Sequence, residues 1–179
     1  MAYRLVSNKS IYNGRKVSLE VHELVNEATG AHVQREICVH PGAVVVLPLL
    51  PENQVILIRN HRYSVGKVLL ELPAGTLEKG EDPMDCAGRE LIEETGYRAG
   101  RLEAFPMFFT SPGILTEKMY PFIAYDLQKS KQALEEGEEI ELYPVPMKEA
   151  VAMCLDGQIA DGKTVATILR YVYKRERKD

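Results

Sequence analysis

The chain has 179 residues, 45% of them hydrophobic and 27% charged, a balance that suits a folded domain with a real core and excludes disorder as a description of the whole. Lys and Arg number 22 against 26 Asp and Glu, so the net charge is −4. That is the wrong sign for an electrostatic binder of nucleic acid or anionic membrane, and no run approaches the ~20 apolar residues of a membrane span. Cys38, Cys86 and Cys154 lack C-x-x-C spacing and indicate neither a disulfide framework nor a zinc site. The N-terminus has no apolar signal core, which makes the cytoplasm the expected compartment.

In chain order, Leu5–Tyr12, Arg15–Val25 and Val33–His40 read as strands, with a tight hairpin turn at Asn13-Gly14. Gly42–Leu50 and Gln54–Ile58 are β-branched runs joined at Pro51-Glu52-Asn53, a second hairpin, and Lys67–Leu72 is a further strand. Asp82-Pro83 opens a helix as N-cap and first residue, and Gly96 stands where a C-terminal glycine belongs. Strands follow around Ala104–Thr110, Met119–Ala124 and Ile140–Val145. Two helices close the chain: Met147–Leu155, ended by Gly157, and Thr164–Lys174, with Val165, Ile168, Leu169 and Val172 on one face. The order predicts an α+β fold, helices packed on a mostly antiparallel or mixed sheet.

The most informative stretch runs from Gly75 to Tyr97, GTLEKGEDPMDCAGRELIEETGY. On a helix, Glu90, Glu93 and Glu94 share one face, while Met84, Ala87, Leu91 and Ile92 fall on the other and pack against the sheet. Like charges at i, i+3 and i+4 cost a few tenths of a kcal/mol per pair on an exposed helix. A hard divalent cation converts that liability into a site, because Mg²⁺ takes oxygen ligands from a few carboxylates and from substrate phosphates. Arg89 stands four residues before Glu93 and can hold its carboxylate, and Glu81 can hold the arginine from the other side. The plain alternative for any such run is a solvated helix face.

Context decides against the solvated face. The spacing from Gly75 through Glu81 to Arg89-Glu90-Leu91-Ile92-Glu93-Glu94-Thr95-Gly96-Tyr97 resembles the Nudix box position for position, departing only at Tyr97, where the family is usually aliphatic. Glu71-Leu72-Pro73-Ala74, Ser111-Pro112-Gly113 with Glu117, and the N-terminal hairpin region extend the similarity to nearly the whole chain, toward the ADP-ribose pyrophosphatase and nucleoside-diphosphate-sugar hydrolase branch. The resemblance implies a Nudix fold, an α-β-α sandwich of mixed sheet with flanking helices. Residues 1–40 would form an N-terminal strand region exchanged in a homodimer, and residues 41–179 the catalytic domain.

It further implies Mg²⁺-dependent hydrolysis of a pyrophosphate, with Mn²⁺ a possible substitute. Residue by residue, it assigns Glu90, Glu94, the Ala74 carbonyl and Glu93 to the metal, with Glu93 also among the catalytic groups. Gly75, Glu81, Arg89 and Gly96 are the motif's structural positions. A base for the attacking water must come from another segment. The acidic run Glu135–Glu141 offers Glu136 as base and Glu138 as a further metal ligand, with Glu139 open as the alternative base; its plain reading is a solvated loop.

For the substrate, the resemblance points to Arg35 and Arg62, whose planar forks suit phosphate, and to Glu117 reaching the sugar. The plain readings are surface ion pairs and a Ser-Pro-Gly turn. The four histidines show no metal-ligand spacing. Asp161-Gly162-Lys163 opens the last helix: Asp161 is explained as an N-cap, whereas a lysine there opposes the helix dipole. Residues two apart do not face each other on a helix, so an ion pair between Asp161 and Lys163 is not expected. Asp-x-Lys at this place resembles the element that separates nucleoside-diphosphate-sugar hydrolases from ADP-ribose pyrophosphatases. It places both residues in the substrate set and favours sugar nucleotides such as GDP-mannose, with ADP-ribose also accepted. An ADP-ribose pyrophosphatase proper is the alternative, and a non-catalytic Nudix-fold binding module a third reading.

Overall fold

The computed structural model describes residues 2–134 and 137–177. In chain order its elements are β1 (Tyr3–Asn13), β2 (Ser18–Asn26), β3 (His32–Val39), β4 (Ala43–Leu50), β5 (Gln54–Arg62), β6 (Lys67–Glu71), β7 (Ala74–Thr76), α1 (Pro83–Thr95), β8 (Tyr97–Arg98), β9 (Arg101–Ala104), β10 (Phe108–Phe109), β11 (Lys118–Tyr125), β12 (Gln128–Lys129), β13 (Ile140–Pro146), α2 (Met147–Leu155) and α3 (Gly162–Glu176). The chain divides into two compact units, one made of Met1–Gly42 with Phe108–Lys118, the other of Ala43–Met107 with Met119–Asp179. Among the described residues no helix is long and apolar enough to cross a membrane.

The first unit is built on an antiparallel sheet in the order β1-β2-β3. Its first turn is wider than Asn13-Gly14 suggests: Asn13 pairs with Ser18, and Gly14–Val17 form the connection, closed by the Gly14 N–H on the Val17 carbonyl (2.9 Å). All of β1 is exposed, including Tyr3, Leu5, Val6, Ile11 and Tyr12.

The second unit is a mixed sheet centred on β4, whose Val44, Val45, Val46 and Leu47 are all fully buried. A strand buried on both faces reads as a continuous apolar run rather than an alternating one, and GAVVVLPLL does so. Parallel β11 lies along β4, with Met119–Ala124 against Ala43–Pro48. β5 returns antiparallel from the Pro51-Glu52-Asn53 turn, where Glu52 and Asn53 both take positive φ, and it carries β6 and β13. β7 pairs with the start of β4, and β9 with the end of β11.

Helix α1 covers one face, its Cys86, Ala87 and Leu91 packing with Val44, Val46, Phe122 and Ala124; α3 also packs on β4, and α2 on β5 and β13. The result is the α-β-α layering of an α+β fold.

Three local expectations change. Met84 is exposed rather than in the α1 interface, because the turn that reaches the sheet starts at Cys86. The stretch Ala104–Thr110 is not one strand but β9 and β10, with Phe105 buried between them. The buried stripe of α3 is Thr164, Thr167, Ile168 and Tyr171, while Val165, Leu169 and Val172 lie half-buried beside it. Two buried threonines are tolerated because their hydroxyls are bonded: Thr164 Oγ1 accepts from the Leu72 N–H (2.8 Å), and Thr167 Oγ1 donates to the Lys163 carbonyl (2.7 Å).

Candidate active site

Helix α1 is fixed at both ends by local chemistry. The Asp82 side chain accepts from the Met84 N–H (2.8 Å) with Pro83 as first residue. Gly96 takes the left-handed conformation (φ 68°), its N–H closing on the Ile92 carbonyl (2.8 Å).

Between these caps the glutamates are not a solvated face. Their side chains are 13% (Glu90), 29% (Glu93) and, for Glu94 as a whole residue, 3% exposed. The Glu90 carboxylate lies directly against Gly75: a Cβ there would come within 1.9 Å of it, so only glycine fits. Glu94 accepts a hydrogen bond from the Ala74 N–H (2.9 Å).

One arginine serves three of the carboxylates. Arg89 meets Glu81 through Nε and Nη2 (2.9 and 3.1 Å), and its Nη1 donates to Glu90 (2.7 Å) and Glu93 (2.9 Å). Its grip holds the Glu81 carboxyl down at about 2, against the smaller opposing effect of burial. Glu94 has no share in that arginine. Burial pushes its carboxyl up to about 8, and the charges of Glu90 and Glu138 push the same way, while the Ala74 N–H and the charge of Arg62 pull down. Burial also raises Glu90; Arg89 opposes this, and Glu93 and Glu138 add to it. Glu138, half-buried, therefore sits close enough to act on both helix carboxylates, whereas Glu139 is exposed. Glu136 lies outside the described residues.

Arg62 and Lys163 converge on one carboxylate. Arg62 grips Glu71 through Nε (2.8 Å) and Nη2 (2.6 Å), and Lys163 Nζ reaches the same carboxylate at 2.5 Å. The side chain of Glu71 is 1% exposed. Burial works against its charge, but the two cations outweigh that and hold its carboxyl below the usual range. Lys163 also pairs with Asp161 at 2.9 Å, which overturns the argument from helical spacing. Asp161 is the N-cap, with extended backbone (φ −78°, ψ 115°), so its side chain is not on the helical lattice and can meet a residue two positions on. It also accepts from the Thr164 N–H (3.0 Å) and hydroxyl (2.5 Å). The position of Lys163 against the helix dipole thus has a structural partner, buried Glu71. Sequence reasoning gave Glu71 no role; the available signal was a lone carboxylate closing the apolar run Val68–Leu70.

The remaining predicted residues lie in the first unit. Arg35 is exposed on β3, donating to the Gln34 carbonyl (2.9 Å). Glu117 accepts from the Thr110 hydroxyl (2.6 Å) and faces His40 Nδ1 at 3.5 Å. The Ser111 carbonyl closes the Ser-Pro-Gly turn by accepting from the Ile114 and Leu115 N–H groups (3.1 and 2.9 Å).

Among the described residues no group of three His, Cys, Asp or Glu side chains is gathered tightly enough to hold a cation alone. Mg²⁺ does not need such a cage, since it keeps waters and uses one or two carboxylates with substrate oxygens. A cavity of about 780 Å³ opens elsewhere in the second unit, lined by Leu49, Pro51, Tyr125, Tyr171 and Arg175 among others, and none of the carboxylates above contributes to it.

A family model described as the NUDIX domain matches residues 39–168. The chain belongs to the Nudix family. This Nudix chain is 38% identical over 167 residues to a methanol dehydrogenase activator of Bacillus methanolicus, spanning 92% of this chain and 90% of the relative. It is 35% identical to an ADP-ribose pyrophosphatase of Bacillus subtilis (97% and 94%), and 40% identical to a GDP-mannose pyrophosphatase of Pectobacterium atrosepticum (69% and 68%). A crystal structure of an ADP compounds hydrolase superposes with a TM-score of 0.85 over 98% of this chain and 96% of that one, at 22% identity, and so shows the Nudix fold.

Proposed function

We propose that this Nudix enzyme hydrolyses the pyrophosphate of nucleoside diphosphate sugars, GDP-mannose and ADP-ribose among them, to a nucleoside monophosphate and a sugar phosphate. The observation that carries this reading is buried Glu94 and half-buried Glu90 beside Ala74-Gly75, with the charge of Glu138 acting on both. Uncompensated buried carboxylates are costly, and an all-oxygen set on a glycine cradle fits a hard divalent cation, Mg²⁺ or in its place Mn²⁺. Glu90, Glu94 and Glu138, with the Ala74 carbonyl, would hold it, and Glu93 stands beside them under Arg89.

When bound, the cation neutralises phosphate charge and acidifies a bound water. The chain's residues do the rest. Arg89 and Glu81 keep the carboxylate face in register, and Arg62 presents the part of its fork not given to Glu71 toward phosphate. A glutamate of the acidic run, Glu136 or Glu139, takes a proton from the attacking water as its oxygen bonds to one phosphorus. The bridging P–O bond breaks with its electron pair on the departing phosphate. Lys163 with Asp161 selects the sugar, and Arg35 and Glu117 belong to the same substrate set. Residues 1–40 form the exchanged element of a homodimer and 41–179 the catalytic domain, a reading supported by the exposed apolar side chains along β1.

The test is incubation with Mg²⁺ and a panel of ADP-ribose, GDP-mannose, UDP-glucose, a diadenosine polyphosphate and a nucleoside triphosphate, with products separated by chromatography. Cleavage of several sugar nucleotides supports the proposal, and cleavage of ADP-ribose alone selects an ADP-ribose pyrophosphatase proper, which the full-length relative of that name favours. The relative named as a dehydrogenase activator supports a further reading, a module that acts on a partner enzyme. Absence of turnover with tight binding of one member would select it.

A further inference from the structure

The carbonyl end of α1 is closed by a segment remote in sequence. A helix leaves its last four carbonyls without partners. Here Gly96 satisfies that of Ile92, the Ala133 N–H that of Glu93 (3.0 Å), the Gln132 side-chain amide that of Glu94 (2.7 Å), and the Ser130 N–H that of Gly96 (2.7 Å). The approach is close: a Cβ on Gly96 would meet the Gln132 nitrogen at 2.9 Å. Just before this segment, Gln128 and Lys129 pair with Arg98 and Tyr97. A few residues after it comes Glu138, whose charge acts on Glu90 and Glu94, and β13 then starts at Ile140 against Asn60. Glu138 thus lies in sequence between the segment that closes α1 and the start of β13, within reach of the helix carboxylates.

We propose that Gln132 is a positioning residue for the reaction proposed above. In this clamp it alone uses a side chain; the other bonds are backbone bonds that any sequence makes. Its amide joins the root of the acidic run to the backbone of Glu94, one turn of helix from Glu90. Fixing that root sets where Glu138 stands relative to both helix carboxylates. The inference rests on the metal and hydrolase reading, so the wild-type protein must first turn over a sugar nucleotide; if it does not, that reading fails and not this one in particular.

Three variants then test the role. Gln132→Glu keeps the length and loses the donor; Gln132→Ala loses both; Gln132→Lys keeps a donor of similar reach. The expected result is a kcat lowered about tenfold in the first two, the worth of one hydrogen bond, with substrate KM within about twofold. The Mn²⁺ concentration for half-saturation, read by electron paramagnetic resonance without substrate, rises about tenfold. Gln132→Lys recovers most of both. An unchanged kcat and Mn²⁺ affinity in Gln132→Glu overturns the proposal. So does an equal loss in all three variants that tracks a lowered melting temperature, since that marks Gln132 as a helix cap and nothing more.

Discussion

Two buried clusters of charge lie within the same unit and are built on opposite plans. Around Glu71 the signs balance: Arg62 and Lys163 face Glu71 and Asp161, and the central carboxylate is held below its usual range despite burial. Around α1 they do not: Arg89 alone meets Glu81, Glu90 and Glu93, while Glu94 is left with one backbone N–H and a raised carboxyl. A balanced cluster is complete without a ligand and serves to hold its members still. An unbalanced one is stable only when something positive arrives or a proton stays. Burial alone does not separate the two, since Glu71 and Glu94 are both nearly inaccessible; the count of partners does.

The sharpest way to break this contrast is Glu94→Gln. It should lower kcat on the order of 10³-fold, as expected when a preorganised group at the reacting charge is lost, in an assay with saturating Mg²⁺. Its effect on the metal-free protein has the opposite sign. A carboxyl raised to about 8 in the folded state contributes stability that is fully present below its unfolded value near 4.5 and is lost as pH rises through about 8. Metal-free wild type should therefore weaken from pH 5 to pH 8 in urea titrations, and Glu94→Gln, which keeps only the raised Glu90, should weaken distinctly less.

Next in size, Glu71→Ala leaves two cations without their shared anion and should cost about 3 kcal/mol of unfolding free energy, with no relief from added Mg²⁺. Lys163→Ala is gentler: about tenfold in kcat/KM on GDP-mannose and distinctly less on ADP-ribose. Equal losses on both would remove Lys163 from selectivity and leave it a member of the balanced cluster. Smallest is Glu81→Gln, about 1 kcal/mol at neutral pH for a screened charged hydrogen bond. Because the folded carboxyl is depressed to about 2, the wild type's advantage over the variant is complete above about pH 4.5 and vanishes as pH falls through 2. Denaturation at pH 7 and pH 2.5 would show it.

What could be read from the residues follows the range of the interactions involved. Both caps of α1 and the shared face of Glu90, Glu93 and Glu94 are properties of a few adjacent residues, and they stand as read. The β-branched run Gly42–Leu50 reads as a strand from its own residues, and the structure buries that strand on both faces. One failure comes where distant partners decide. Thr164 and Thr167 are core residues because Leu72, Asp161 and Lys163 satisfy their hydroxyls, and no periodicity of apolar residues points to them. Asp161 meets Lys163 because a cap residue leaves the helical lattice. Met84 has the right phase for the interface but lies in the first turn, beyond the edge of what it would cover. In the acidic run, composition offers several equivalent glutamates; the fold turns Glu138 toward the helix and leaves Glu139 in solvent.

The closure of α1 by Ser130, Gln132 and Ala133 also sets an order of events during synthesis. The ribosome releases the whole helix well before the residues that finish it. At about 5–20 residues per second the carbonyl end waits some 2–7 s for its partners. During that interval the nascent chain has its glutamate-bearing helix without the strap across its end, and for most of it also without β11, the parallel neighbour of β4. The carboxylate face thus takes its final form late, after the strands that cradle it have already left the ribosome.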